Sequence, residues 1–126
     1  MIVVDTSVWV AALRSRTSTE AETLTTLLDA DEVALAIPVR LELLAGASRR
    51  DRAPLARALS ALPLVYPTDD TWSTIDKWIE RATAAGQRFG INDLLIAALA
   101  SEVGGLVWSL DTDFVRLQKL RFVQLY

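Results

Sequence analysis

Neither cysteine nor histidine occurs among the 126 residues of this chain. Without cysteine there is no disulfide, no zinc–thiolate centre and no thiol nucleophile. Without histidine there is no imidazole acid–base pair, no Ser-His-Asp triad and no histidine-ligated zinc or iron. Any catalysis is left to carboxylates, hydroxyls, Lys, Arg or a cation held by oxygen, and hard-oxygen ligation favours Mg2+ or Mn2+. Long apolar runs are missing too. The longest, Leu94 to Ala100, has seven residues, far fewer than the ~20 a membrane-spanning helix needs. The opening Met1-Ile2-Val3-Val4-Asp5 has no basic lead and only a short apolar stretch, unlike a secretory signal. The expectation is a soluble, cytoplasmic protein. An excess of positive charge is also lacking: the net charge is −3, which is not the footprint of a general nucleic-acid binder. A nucleic-acid substrate would therefore require a local basic patch or a metal ion.

What is present is a substantial apolar fraction, 52%, enough for a real core in a chain whose length fits one domain. Short apolar runs alternate with helical periods, the pattern of an α/β sheet fold. Ile2 to Val4 reads as a buried strand that turns directly into a helix over Asp5 to Leu13. Thr19 with Glu22 has the spacing of a capping box and opens a helix to about Ala30. Ala34 to Ile37 reads as a second strand. Pro38 suits the first turn of the next helix, which runs to about Ala47. A helix over Ala53 to Ala61 and a strand over Leu64 to Tyr66 come next. Thr68 caps a helix whose buried stripe is predicted to be Trp72, Ile75, Trp78, Ile79 and Ala82, with Gly86 ending it. Asn92 opens a helix to Glu102, Gly104-Gly105 make a turn, and Leu106 to Ser109 is a fourth strand. A short helix after Asp111 and an edge strand over Phe122 to Leu125 complete the chain.

Several acids fall at informative points in this pattern. Asp5 follows the first strand and Asp111 follows the fourth, and ligands of open parallel sheets bind beyond the carboxyl ends of strands. Asp93 is in the first turn of an almost wholly apolar helix, at the positive end of its dipole. Glu42 lies one turn into the helix after the second strand, between Leu41 and Leu43, a setting that reads as partly buried. Two unit charges about 4 Å apart repel by roughly 4 kcal/mol at an effective dielectric near 20. Four converging carboxylates would need a cation among them. A divalent ion removes that penalty, lowers the pKa of a bound water and holds a phosphate in line, which is hydrolysis without histidine.

Four segments together, Ile2-Val3-Val4-Asp5-Thr6-Ser7-Val8, Pro38-Val39-Arg40-Leu41-Glu42-Leu43-Leu44-Ala45-Gly46, Asn92-Asp93-Leu94-Leu95-Ile96-Ala97-Ala98 and Ser109-Leu110-Asp111-Thr112-Asp113-Phe114, resemble a PIN domain, and within that family the VapC toxins of bacterial toxin–antitoxin pairs. The resemblance covers nearly the whole chain, in order and spacing. It implies a single PIN domain over 1–126 with a three-layer α/β/α fold around a central, mostly parallel sheet of about five strands. It implies an endoribonuclease that depends on Mg2+ (Mn2+ being the alternative) and cuts RNA by metal-activated water, a homodimer, and neutralisation by a VapB-type antitoxin. By position, Asp5, Glu42 and Asp93 match three acids of the family, and Asp111 and Asp113 both match acids found in members, so all five stand as catalytic and metal-binding candidates. Thr6 or Ser7 matches a hydroxyl position that orients a metal-bound water, and Asn92 and Ser109 match polar positions beside the site. Arg40 departs from the pattern: it could pair with Glu42 or reach for phosphate.

Two other functions compete. A phosphoacceptor receiver domain also gathers acids at strand ends, but it needs an acid pair after the first strand, where this chain has Thr6-Ser7. A non-cleaving binding module would use the same acids to hold a basic peptide. Structural roles compete too. Asp5 could merely be an N-cap, Asp93 a dipole partner and one of Asp111 and Asp113 a turn residue. Asp69 and Asp70 read as first-turn acids after Thr68, and Arg49, Arg50, Arg52 and Arg57 as a solvated face. Independently of family, a concave acidic cluster should attract an inhibitor that places Arg or Lys among Asp5, Glu42 and Asp93.

Overall fold

Three apolar residues, Ile2, Val3 and Val4, form the strand β1 (Ile2–Val4), and all are buried because both faces of the sheet are covered. The computed structural model describes all 126 residues. After β1 come α1 (Thr6–Arg14), α2 (Thr19–Asp29), β2 (Val33–Ala36), α3 (Ile37–Gly46), α4 (Arg52–Leu59), β3 (Leu64–Val65), α5 (Asp69–Ala84), α6 (Ile91–Glu102), β4 (Leu106–Trp108) and α7 (Asp113–Lys119). The four strands are all parallel, in the order β3-β2-β1-β4. Ile2 is in register with Val33 on one side and Leu106 on the other.

Right-handed crossovers dictate the layers. The chain steps from β1 through β2 to β3 in one direction, so α1 to α4 share a face. It then returns across the sheet to β4, which puts α5 and α6 on the other. The packing agrees: α1 rests on α2 and α3, and α3 on α4, while α6 rests on α5 and α7. The result is the expected three-layer α/β/α arrangement. Across the layers, α3 meets α6. β1 lies where the strand order reverses, between β2 and β4, the switch point at which open α/β sheets present their ligand crevice.

Several local expectations are corrected. The edge strand over Phe122 to Leu125 shrinks to a single parallel bridge, Val107 with Leu125, because Phe122 and Val123 turn into the core instead of alternating along an edge. Phe122 stacks on Trp78 at 4.6 Å. The buried stripe of α5 is narrower than predicted: Thr71, Ile75, Trp78 and Ala82 face inward, whereas Trp72 is 48% and Ile79 39% exposed. The inward residues step by four, three and four, and Trp72 and Ile79 each lie one position further on, rotated towards solvent. Ser18, not Thr19, caps α2, accepting from the Ala21 amide at 3.1 Å. Ile37 belongs to α3 rather than β2, and Gly90, not Asn92, is the N-cap of α6. At Gly86, φ is +71°, and the amides of Gly86 and Gln87 return to the carbonyls of Thr83 and Ala82, a Schellman closure of α5. No helix is long and apolar enough to cross a membrane.

Gly105 has a different reason to be glycine. A Cβ there would lie 2.7 Å from the backbone carbonyl oxygen of Met1, because β4 starts by pairing closely with the chain at the start of β1. Gly105→Ala is expected to lower stability by about 1–3 kcal/mol through overpacking. Gly46→Ala, where a Cβ meets nothing within 4 Å, is expected to leave the melting temperature equal or higher. Thermal melts of the two variants side by side check this.

Candidate active site

Asp5 is the residue at which β1 becomes α1, and it stands at the N-cap position of that helix. Its carboxylate nonetheless caps no backbone amide of the helix. Oδ2 instead accepts from Ser7 Oγ and from Ser109 Oγ, each at 2.7 Å. The side chain is buried, with 6% of the residue exposed, so these two hydroxyls provide the polar partners that a carboxylate removed from water requires. The serines in turn stitch the end of β4 to the start of α1. Ser7 Oγ accepts from the Leu110 amide at 3.0 Å, and Ser109 Oγ from the Asp111 amide at 2.9 Å. Asp5 and Asp111 thereby share one small network built on the loop beyond β4.

Asp111 Oδ1 accepts from the Asp113 amide at 2.9 Å, a side-chain turn of the kind Asp favours. It delivers Asp113 to the start of α7, where the fully buried Phe114 and Leu117 anchor the helix in the core. Asp93 is in the first turn of α6. Carboxylate oxygens of Asp93, Asp111 and Asp113 lie within 4.8 Å of one another. Asp5 and Glu42 flank this group and are not part of it. Burial pushes the Asp93 carboxyl from an ordinary 3.8 up to about 6, reinforced by the charges of Asp111, Asp5, Asp113 and Glu42 in that order. A helix N-terminus favours the ionised form, so burial and these four neighbours outweigh the dipole. The other four predicted acids thus all act electrostatically on this one carboxyl.

Glu42 corrects the sequence reading: it is exposed rather than partly buried, as is its neighbour Leu41. Val39 and Leu43 take the inward face of α3, and Glu42 is turned away from it. It is still tethered. Oε1 accepts from Thr6 Oγ1 at 3.2 Å and from the Asn92 side-chain amide, which ties α3 to α1 and α6. Asn92 is thus a side-chain partner of Glu42 rather than a helix cap. Arg40 makes no ion pair with Glu42; the one salt bridge in the chain joins Arg116 to Asp113 at 3.2 Å.

Arg116 escaped the sequence reading. Its i, i+3 spacing from Asp113 was the available signal. Its other partners, Gln87 and Arg88, are about thirty residues away in sequence and had no local trace. The donor set fits a divalent cation of the hard class: carboxylate oxygens, no nitrogen or sulfur ligand, and three acids closely placed with one guanidinium on their margin.

A family model described as PIN domain matches residues 2–120. Ribonuclease VapC11 of Mycobacterium tuberculosis is 33% identical over 129 aligned residues, covering 98% of this chain and 96% of that protein. The structure of VapBC2 from Rickettsia felis, bound to a DNA fragment from its promoter, superposes with a TM-score of 0.80 at 19% identity, over 100% of this chain and 98% of that one. VapBC-5 from M. tuberculosis does so with a TM-score of 0.66 at 26% identity, over 98% and 94%. The receiver reading falls away with these matches. A parallel sheet with acids gathered at its switch point, and similarity that runs through all four motif segments, identify the chain as a member of the PIN domain family, of the VapC kind.

Proposed function

We propose that this protein is the toxin of a type II toxin–antitoxin pair, an endoribonuclease that hydrolyses RNA phosphodiester bonds with Mg2+ or, alternatively, Mn2+. The observation that carries the reading is the gathering of Asp93, Asp111 and Asp113 within 4.8 Å in a chain without histidine or cysteine. These three would hold the cation, with Asp5 and Glu42 completing the acidic surround. A bound divalent cation supplies Lewis acidity, making water acidic near neutral pH and balancing charge on a phosphate. The chain's own groups set the geometry. Ser7 and Ser109 fix Asp5 by donating to one of its oxygens. Thr6 and Asn92 fix Glu42 in the same way. Burial of Asp5 against β4 keeps bulk water from one side of the site.

The partner reading rests on the same charges. One ion pair leaves most of the acids without a protein cation, so an antitoxin of the VapB type that inserts an Arg or Lys among Asp5, Glu42 and Asp93 would lower their mutual repulsion and exclude the metal. A homodimer is supported by exposed apolar side chains on α5 and at the start of α6, Trp72, Ile79 and Ile91, which two copies could bury together.

The test is cleavage of a panel of defined single-stranded and structured RNAs by the purified protein, with Mg2+, with Mn2+ and with chelator. Cutting is expected with either metal and none with chelator. Tight RNA binding without cutting under every condition would favour the non-cleaving module, and cutting that survives exhaustive chelation would refute the metal-dependent reading.

A further inference from the structure

Arg116 is one turn beyond Asp113 in α7, yet most of its partners belong to another part of the chain. Nη2 lies 3.2 Å from Asp113 Oδ1. Nη1 donates to Gln87 Oε1 at 2.7 Å, and both Nη atoms donate to the Arg88 carbonyl oxygen, at 3.2 and 2.9 Å. The guanidinium carbon stands 4.4 Å from the centroid of the Phe89 ring. One side chain therefore engages Asp113 and three successive residues of the connection between α5 and α6.

That connection needs a tie. From Gln87 to Gly90 it has no regular structure, and the amides of Arg88, Phe89 and Gly90 donate to no backbone carbonyl. It leads straight into the first turn of α6, where Gly90 is the cap and Asp93 comes three residues later. Asp93 and Asp113 are carried by helices separated in sequence by β4. Their carboxylates lie within 4.8 Å of each other, and like charges so placed repel. A contact that locks the entry of α6 to the first turn of α7 opposes that repulsion, and it engages only one Asp113 oxygen, Oδ1.

The geometry points to Arg116 as a positioning residue that sets the spacing of Asp93 and Asp113 by clamping the Gln87–Phe89 segment onto α7. The residue type matters. The planar guanidinium presents five N–H donors in a fixed fork and stacks on an aromatic face, whereas a lysine ammonium is a compact point charge. A role resting on charge alone would be met by Lys; a clamp with three oxygen acceptors and a ring would not. For its catalytic consequence the inference rests on Asp93 and Asp113 being cation ligands, as proposed above. The clamp itself does not depend on that reading.

The experiment compares wild type with Arg116→Lys, Arg116→Gln and Gln87→Ala. Gln87→Ala removes one acceptor and leaves the guanidinium in place, so it serves if the Gln variant folds poorly. In metal-free protein, hydrogen exchange at the amides of Leu94 to Ala97, the first hydrogen-bonded amides of α6 (Leu94 donates to the Gly90 carbonyl at 3.2 Å), is expected to quicken about tenfold in both Arg116 variants, with the amides of β2 unchanged. Titration with Mg2+, followed by calorimetry or thermal shift, is expected to give a half-saturation about tenfold higher, the scale at which outer partners tune metal sites. In cleavage the same variants should need more Mg2+ while KM for RNA stays as in wild type. Combining Arg116→Gln with Asp113→Asn should raise the half-saturation no further than Asp113→Asn alone. Full rescue by Lys, unchanged exchange at Leu94 to Ala97, or an unchanged Mg2+ half-saturation would each overturn the inference. If wild type itself neither bound Mg2+ nor cut RNA, the proposed function would fail, while the exchange data would still report on the clamp.

Discussion

Asp93→Asn is expected to lower RNA cleavage by more than about a hundredfold and, in the same molecule, to make the metal-free protein more stable above about pH 6. The first expectation comes from placement. Asp93 is one of three acids within 4.8 Å of one another, and since even outer partners of a metal ligand are worth 10–100-fold in affinity or activity, loss of a ligand should exceed that. The second comes from linkage. The folded-state pKa is raised, from 3.8 to about 6, so the folded protein binds a proton more readily than the unfolded chain does. Its contribution to stability is fully present below about pH 4 and is lost as pH rises through about 6. An amide has no such loss. The linkage value of so large a displacement is about 3 kcal/mol, but the group is partly open to water, and screening reduces the expected gain to about 1 kcal/mol, or roughly 3–5 °C in melting temperature for a domain of this size. The gain should shrink to nothing between about pH 6 and pH 4. Saturating Mg2+ should reverse the order, because only wild type gains from ligand binding. Melts in chelator at pH 5 and pH 7.5 decide the matter. A variant less stable than wild type at pH 7.5 would sink the idea that these acids are held together against their repulsion.

Such a trade between stability and activity is what a site built from like charges predicts, and much of that site was legible in the amino-acid order. Asp5 and Asp111 could be placed because they come just after apolar runs too short to be anything but strands, and a parallel sheet gathers the residues at its strand ends along one edge. Asp93 could be placed because an acid in the first turn of an apolar helix is conspicuous. The exposure of Glu42 could not be read: which face of α3 is buried depends on where α1 and α6 lie, and leucines on both sides of Glu42 made each face look apolar. The stripe of α5 was overdrawn for a similar reason, since sequence period identifies a family of adjacent faces and packing chooses among them. The last strand failed because Phe122 found Trp78, a contact that links residues more than forty positions apart. Arg116 was invisible since a guanidinium that holds a carbonyl and a ring from another helix connection carries no local period. What the chain encodes locally is the position of the acids; what holds them in register is largely non-local.

Asp5 gives the sharpest test of that division. By sequence it could have been an N-cap, and it does occupy the cap position, but its carboxylate is bonded to Ser7 and Ser109 instead of the helix backbone. If it were only a cap, removing the two hydroxyls would matter little. Because it is buried, at 6% exposure, Ser7→Ala combined with Ser109→Ala should leave the Asp5 carboxylate without side-chain donors, at a cost of about 3–6 kcal/mol, the loss of two hydrogen bonds to a charged group. Cleavage should fall about 10–100-fold as Asp5 loses its orientation. Either single substitution should cost less than half as much, since the remaining serine still donates to Oδ2. Adding Asp5→Asn to the double variant separates the two effects. A neutral amide is cheaper to bury than a charge, so stability should return by about 1–3 kcal/mol. Activity should stay lost, because an amide cannot replace the carboxylate among the acids. Recovery of stability without recovery of cutting assigns the serines to holding a charge in place for chemistry; a destabilised double variant that Asp5→Asn does not restore would show that the two hydroxyls serve the loop beyond β4 and not Asp5, and a double variant as stable as wild type would show that Asp5 does not depend on them.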